Sequence, residues 1–199
     1  MSEDSIVVFA DSPGHLNLVG AKVIADPTDF AGIHHAARAL AEDFGRVKRG
    51  KASSFELVHE GRLDAPTAII IGCIESCWMI RELRKAGKIE TASIRGKWES
   101  FITCVVDDPL PGCARALVIA GSDKRGAIFG AYTLSSQIGV SPYVTVLTLL
   151  IPITLTSCSL EKMVLVCRRP CTVPSRVICA SSTHYPGRAE HPVPWDFHQ

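Results

Sequence analysis

Gly121 to Gly126 read GSDKRG, where an apolar run gives way to a stretch rich in small residues. A helix that starts here would offer free backbone N–H groups and the positive end of its dipole, a combination that attracts anions. Lys124 and Arg125 would add full charges to such a cradle. The spacing is not GxxxxGK[ST], because the lysine precedes the second glycine and no serine or threonine follows it. It is not GxGxxG either. A structural reading stands beside the anion cradle and needs less. In it Ser122 or Asp123 caps the helix, Gly121 allows the turn, and Gly126 and Gly130 let the helix lie close to its neighbours.

Trp98, in GKWESF (96–101), could stack on the apolar face of a sugar ring, or serve as a core or interface residue beside a strand start. His34 and His35 have no histidine or acid at the spacing of a metal face, so they read as exposed or half-packed side chains. Glu60 and Glu75 follow apolar runs, and glycosidic hydrolysis needs two carboxyl groups at a set separation. No such pair can be nominated from the sequence. Cys73/Cys77 and Cys167/Cys171 are CxxxC pairs without the knuckle spacing of a zinc site, and four of the eight cysteines lie from Cys158 onward. They read as scattered thiols, with no metal expected.

These residues need elements to position them. Between residues 6 and 142 the apolar pattern alternates between strands and helices. Strands are expected at 6–10, 21–26, 55–59, 67–72, 101–108 and 115–121. TAIIIG (67–72) is apolar throughout, as in a central strand buried on both faces. Phe30, Ile33, Ala37, Leu40 and Phe44 form one helical stripe, with Asp26 as N-cap, Pro27 at the first position and Gly45 as the stop. Further helices are expected near 75–86 and 124–138. The fold class is therefore α/β: a single domain with a mixed sheet and about three helices, plus an irregular C-terminal tail.

The composition agrees. The chain has 199 residues, 47% of them hydrophobic and 21% charged, which suits one globular domain with a core. A net charge of +1 gives no electrostatic footprint for nucleic acid. RVKRGK (46–51) and RELRKAGK (81–88) read as solvated faces. The first sixteen residues lack the basic and apolar regions of a signal peptide, which makes the cytoplasm the default location. The longest apolar run, Tyr143 to Leu155, contains Pro152 and is shorter than the ~20 residues a membrane helix needs, so no membrane span is expected.

Residues 143–199 break the pattern. They hold six of the twelve prolines and show neither helical nor strand periodicity. We divide the chain into an α/β domain at 1–142 and a tail at 143–199 without a recognisable domain.

Four motifs occur in order: DFAGIHHAARALAEDFGRV, IRGKWESF, DDPLPG and ALVIAGSDKRGAIFGAYTLSSQIGVSP. Together they resemble the N-terminal region of glycoside hydrolase family 115, the xylan α-1,2-glucuronidases. The last is the most specific, and the chain departs from its usual form at Ala127, Phe129, Ala131, Thr133 and Ser136. The resemblance covers about residues 6–142. It implies an ancillary α/β domain of the kind that precedes a catalytic barrel. The family releases glucuronic acid, or its 4-O-methyl ether, from xylan by inverting hydrolysis without a cofactor. Its catalytic carboxylates lie in the barrel. A barrel takes ~250 residues, and only 143–199 follow Pro142, so no catalytic residue is assigned and the chain is expected to be inactive alone. The partners implied are glucuronoxylan or its oligosaccharides, with Lys124, Arg125 and Trp98 as substrate-binding residues. The resemblance stops at Tyr143, where an out-of-frame or intron-derived translation would produce such a break. Sequencing the transcript there tests this expectation, and a read that confirms the tail in frame refutes it.

Overall fold

A computed structural model of the chain describes residues 7–8, 15–47, 53–59, 61–140, 164–165 and 178–179. Nine strands and three helices are found among them. The strands are β1 (Val7–Val8), β2 (Leu16–Asn17), β3 (Lys22–Ala25), β4 (Phe55–Leu57), β5 (Thr67–Cys73), β6 (Ser100–Asp107), β7 (Arg115–Gly121), β8 (Val164–Leu165) and β9 (Ile178–Cys179). The helices are α1 (Ala31–Val47), α2 (Trp78–Lys85) and α3 (Lys124–Gln137).

The main sheet runs β4-β3-β5-β7-β6, and β9 pairs with the first two residues of β6 at its outer edge. β4, β3, β5 and β7 are parallel, while β6 lies antiparallel to β7 across the turn that holds DDPLPG. The mixed sheet expected from the sequence is therefore present. Its centre is β5, whose isoleucines alternate between two apolar layers, as successive residues of a strand must. Ile69 and Ile71 join Val23, Ala25, Leu117 and Ile119 beneath α1 and α3. Ile70 joins Ile24, Val118 and Ile102 beneath α2, which contributes Met79, Ile80 and Leu83.

Three helix boundaries differ from expectation: α2 begins at Trp78 rather than near 75, because residues 74–76 form a turn that brings the Ser76 hydroxyl to Asp29, and both ends of α1 move. α1 begins at Ala31, not Pro27, because residues 26–29 close a turn in which the Asp29 N–H donates to the Asp26 carbonyl (3.1 Å). Phe30 thus precedes the helix and stands 47% exposed, whereas Ile33, Ala37, Leu40 and Phe44 are buried as the stripe requires. α1 also passes through Gly45 to Val47. Glycine costs only ~1 kcal/mol in a helix interior, and Phe44 packs into the core beside it. Arg46 anchors the same turn by an ion pair with Asp43 at 2.6 Å. Of the six expected strands, the first is present as β1, which lies outside the main sheet in a small sheet of order β1-β8-β2. Within the expected tail, β8 and β9 are described; the rest of 143–199 lies outside the described residues, as does Glu60.

Candidate functional site

Two places at the carboxyl-terminal edge of the parallel strands gather polar side chains. The first is the crevice between β3 and β5. From β3 the chain leaves through α1 to the edge strand β4, and from β5 it leaves through α2 on the opposite layer. In open α/β sheets such a switch point is where ligands usually bind. Here Asp26 and Asp29, buried in the loop after β3, fill it. Asp26 Oδ1 accepts from the Thr28 N–H (2.8 Å) and hydroxyl (2.7 Å), and Oδ2 accepts from the Trp78 N–H (2.7 Å). Asp29 Oδ2 accepts from the Cys73 N–H (2.9 Å), and Oδ1 from the Ser76 hydroxyl (2.6 Å) and the Phe30 N–H (2.9 Å).

Asp26 therefore does not cap α1. It caps α2, whose own N-cap residue Cys77 makes no side-chain bond. A carboxylate at this end satisfies an orphan N–H and complements the helix dipole. Cys77 lies beneath, fully buried, and burial pushes its thiol up to about 12. Such a thiol is not poised as a nucleophile. His34 turns a ring nitrogen to the Asp26 carbonyl at 2.7 Å, while Glu75 pairs with Arg95 at 3.7 Å. Among the described residues, no three of His, Cys, Asp and Glu could hold a metal ion, and no helix is long and apolar enough to cross a membrane.

The second place is a depression of about 350 Å³ where the loop before β6 meets the start of α3. Gly96, Lys97, Trp98, Asp123, Lys124 and Arg125 line it. It unites all three residues singled out in the sequence as substrate-binding. Of the two readings of Trp98, burial in the core fails, because the residue is 80% exposed.

The structural reading of GSDKRG holds. Asp123 is the N-cap of α3, with Oδ1 accepting from the Gly126 N–H at 2.7 Å, so the helix start already carries an anion of its own. Oδ2 accepts from the Glu99 N–H at 2.9 Å and ties the loop to the helix. Ser122 and Ser100 extend this tie, their backbones bonded at 2.8 Å. Gly126 permits the approach: a Cβ there would collide with the Ser100 carbonyl. Lys124 lies 6.0 Å from the centre of the half-exposed Phe30 ring. Arg125 lies 6.0 Å from that of Phe129 and forms an ion pair with Glu99 at 2.7 Å.

No protein-family model matches the chain, and no curated protein sequence matches it. Solved structures do. One is BtGH115A, described as a family GH115 4-O-methyl-α-glucuronidase with specificity for decorated arabinogalactans. It shares 23% identity at a TM-score of 0.47, over 62% of this chain and 14% of that one. Another is CpGH84D, at 14% identity and a TM-score of 0.45, over 68% of this chain and 20% of that one. The chain thus spans a fifth or less of the length of either protein.

Sequence reasoning missed Glu99 and the joint role of Asp26 and Asp29. Glu99 is the neighbour of Trp98 in GKWESF, but its partner Arg125 lies in another motif. Asp26 and Trp78 are 52 residues apart, a separation that no local pattern reports.

Proposed function

We propose that this chain is a non-catalytic accessory domain of the kind found in family 115 glucuronidases, and that it holds carbohydrate in the depression around Trp98. The observation that carries the reading is the exposed indole of Trp98, in one concavity with Lys124 and Arg125. An aromatic face offers a platform for the C–H face of a pyranose, and the basic side chains donate hydrogen bonds to its hydroxyls. The non-catalytic part is supported by the crevice, where both buried carboxylates are committed to backbone and hydroxyl donors rather than facing each other across a substrate. The order of motifs up to Pro142 supports the family, and xylan-derived oligosaccharides are the ligands this reading names.

The full chain, incubated with glucuronoxylan, should release no glucuronic acid. Titration calorimetry with xylo-oligosaccharides should give heat that Trp98→Ala removes. Release of glucuronic acid by the purified chain would refute the non-catalytic reading. A folded protein that gives no heat with either neutral or glucuronate-bearing oligosaccharides would refute the binding reading.

A further inference from the structure

Among the described non-glycine residues, only Glu99 and Asp108 have positive φ, and Glu99 stands at 52°. A β-carbon in this left-handed region costs ~1–2 kcal/mol and persists where the surroundings enforce it. The enforcement is visible. Asp123 accepts the Glu99 N–H, and the next residue, Ser100, is fully buried, its N–H donating to the Ser122 hydroxyl and its carbonyl accepting from the Ser122 N–H. The constrained backbone accompanies a side chain that is 23% exposed, with its carboxylate 2.7 Å from Arg125, whose side chain is 57% exposed.

Arginine is the residue best suited to reading a carboxylate, because its planar fork matches the two oxygens. In this depression one arm of that fork, Nη1, is already engaged by a carboxylate of the same chain. The remaining cations, Lys97 and Lys124, are exposed, where solvent and salt screen a charge pair to a small value. Asp123 adds a negative charge to the lining.

We infer that Glu99 is a built-in occupant of Arg125, so that the depression takes a neutral pyranoside on Trp98 and does not select uronates. The inference rests on the proposed carbohydrate-binding reading and names the ligand class of that site. A glucuronate carboxylate gains little here, because a two-pronged approach to Arg125 would displace Glu99, and any approach would set it beside the carboxylates of Glu99 and Asp123. The carboxylate of Glu99 thereby sets the specificity of the site.

The test uses the full chain at physiological salt, with a neutral xylo-oligosaccharide and the same oligosaccharide bearing one glucuronate. The wild type should bind the two within about threefold. Glu99→Gln, which keeps the shape and removes the charge, should shift the ratio of affinities about tenfold in favour of the glucuronate-bearing ligand; tenfold corresponds to about 1.4 kcal/mol. Glu99→Gly, which suits the positive φ, is the second variant and should show the same selective gain if the glutamine variant fails to fold. An unchanged ratio of affinities in both variants overturns the inference while the binding reading stands. So does a wild type that already prefers the glucuronate-bearing ligand tenfold or more. No binding of either ligand by folded wild type and folded variants overturns both.

Discussion

The crevice between β3 and β5 and the depression between β6 and α3 lie along the same edge of the sheet and put charge to opposite use. In the crevice the charges are buried. Asp26 and Asp29 spend their oxygens on Trp78, Thr28, Cys73, Ser76 and Phe30, and so join the loops after β3 and β5. In the depression the charges reach solvent beside an exposed indole, with Arg125 paired to Glu99, and the ties beneath them are the Asp123 cap and the bonds between Ser100 and Ser122. The place where an α/β sheet usually receives a ligand has become part of the frame. The place we propose for a ligand lies two strands further out, where β7 meets β6. Position on a fold therefore does not assign function; the accounting of partners does.

The largest expected effect breaks the frame. Asp26→Ala leaves the half-buried Trp78 N–H at the start of α2 without its acceptor and releases both bonds from the exposed Thr28, and bonds to a charged acceptor contribute ~1.5–3 kcal/mol each. Urea unfolding at neutral pH should show a loss of at least about 3 kcal/mol. A loss below about 1 kcal/mol would mean that the crevice carboxylate is dispensable and free for other work.

The second effect uses Cys77. Its thiol is held protonated by burial, at about 12 against an ordinary 9.0. Between those values the unfolded chain has released the proton and the folded chain has kept it. The contribution of Cys77 is complete below about pH 9 and falls as pH rises toward 12, by about 1.4 kcal/mol per pH unit. Unfolding of wild type and Cys77→Ala across this window should show the wild type losing more stability. Parallel pH profiles would remove Cys77 from the buried frame.

The third sharpens the boundary between the two regions. Gly126→Ala pushes a methyl group against the Ser100 carbonyl, where backbone must give way. We expect a loss of about 1–3 kcal/mol, as for overpacking, together with weaker oligosaccharide binding, because the shift moves the loop that carries Trp98. A destabilised variant with full binding would show that the α3–β6 contact does not position the platform.

Much of this was legible in the sequence where the signal is local. The apolar run of β5, the bounds of α3 and the small residues at Gly126 and Gly130 each state their environment through neighbours in the chain. A Cβ at Gly130 would come within 3.0 Å of the Phe101 ring, the close approach expected there. The acids were not legible in the same way. Asp26 looks like the cap of the next helix because it precedes Pro27, yet its partner is the start of α2. Phe30 fits the α1 stripe by spacing and leaves it because the helix begins one residue later. Trp98 beside a strand start suits a core equally well, and only the three-dimensional course of the loop exposes it. Likewise, the spacing of Glu99 and Arg125 says nothing of their ion pair, because two loops must first be brought together by Asp123.

The smallest expected effect on stability goes with the most direct test. Trp98→Ala removes an exposed side chain and should change unfolding by no more than about 0.5 kcal/mol. Titration calorimetry of wild type and Trp98→Ala with a xylo-oligosaccharide should then give heat for the wild type and none for the equally stable variant. Equal heats from both proteins, or none from the folded wild type, would contradict the assignment of the depression as the functional surface.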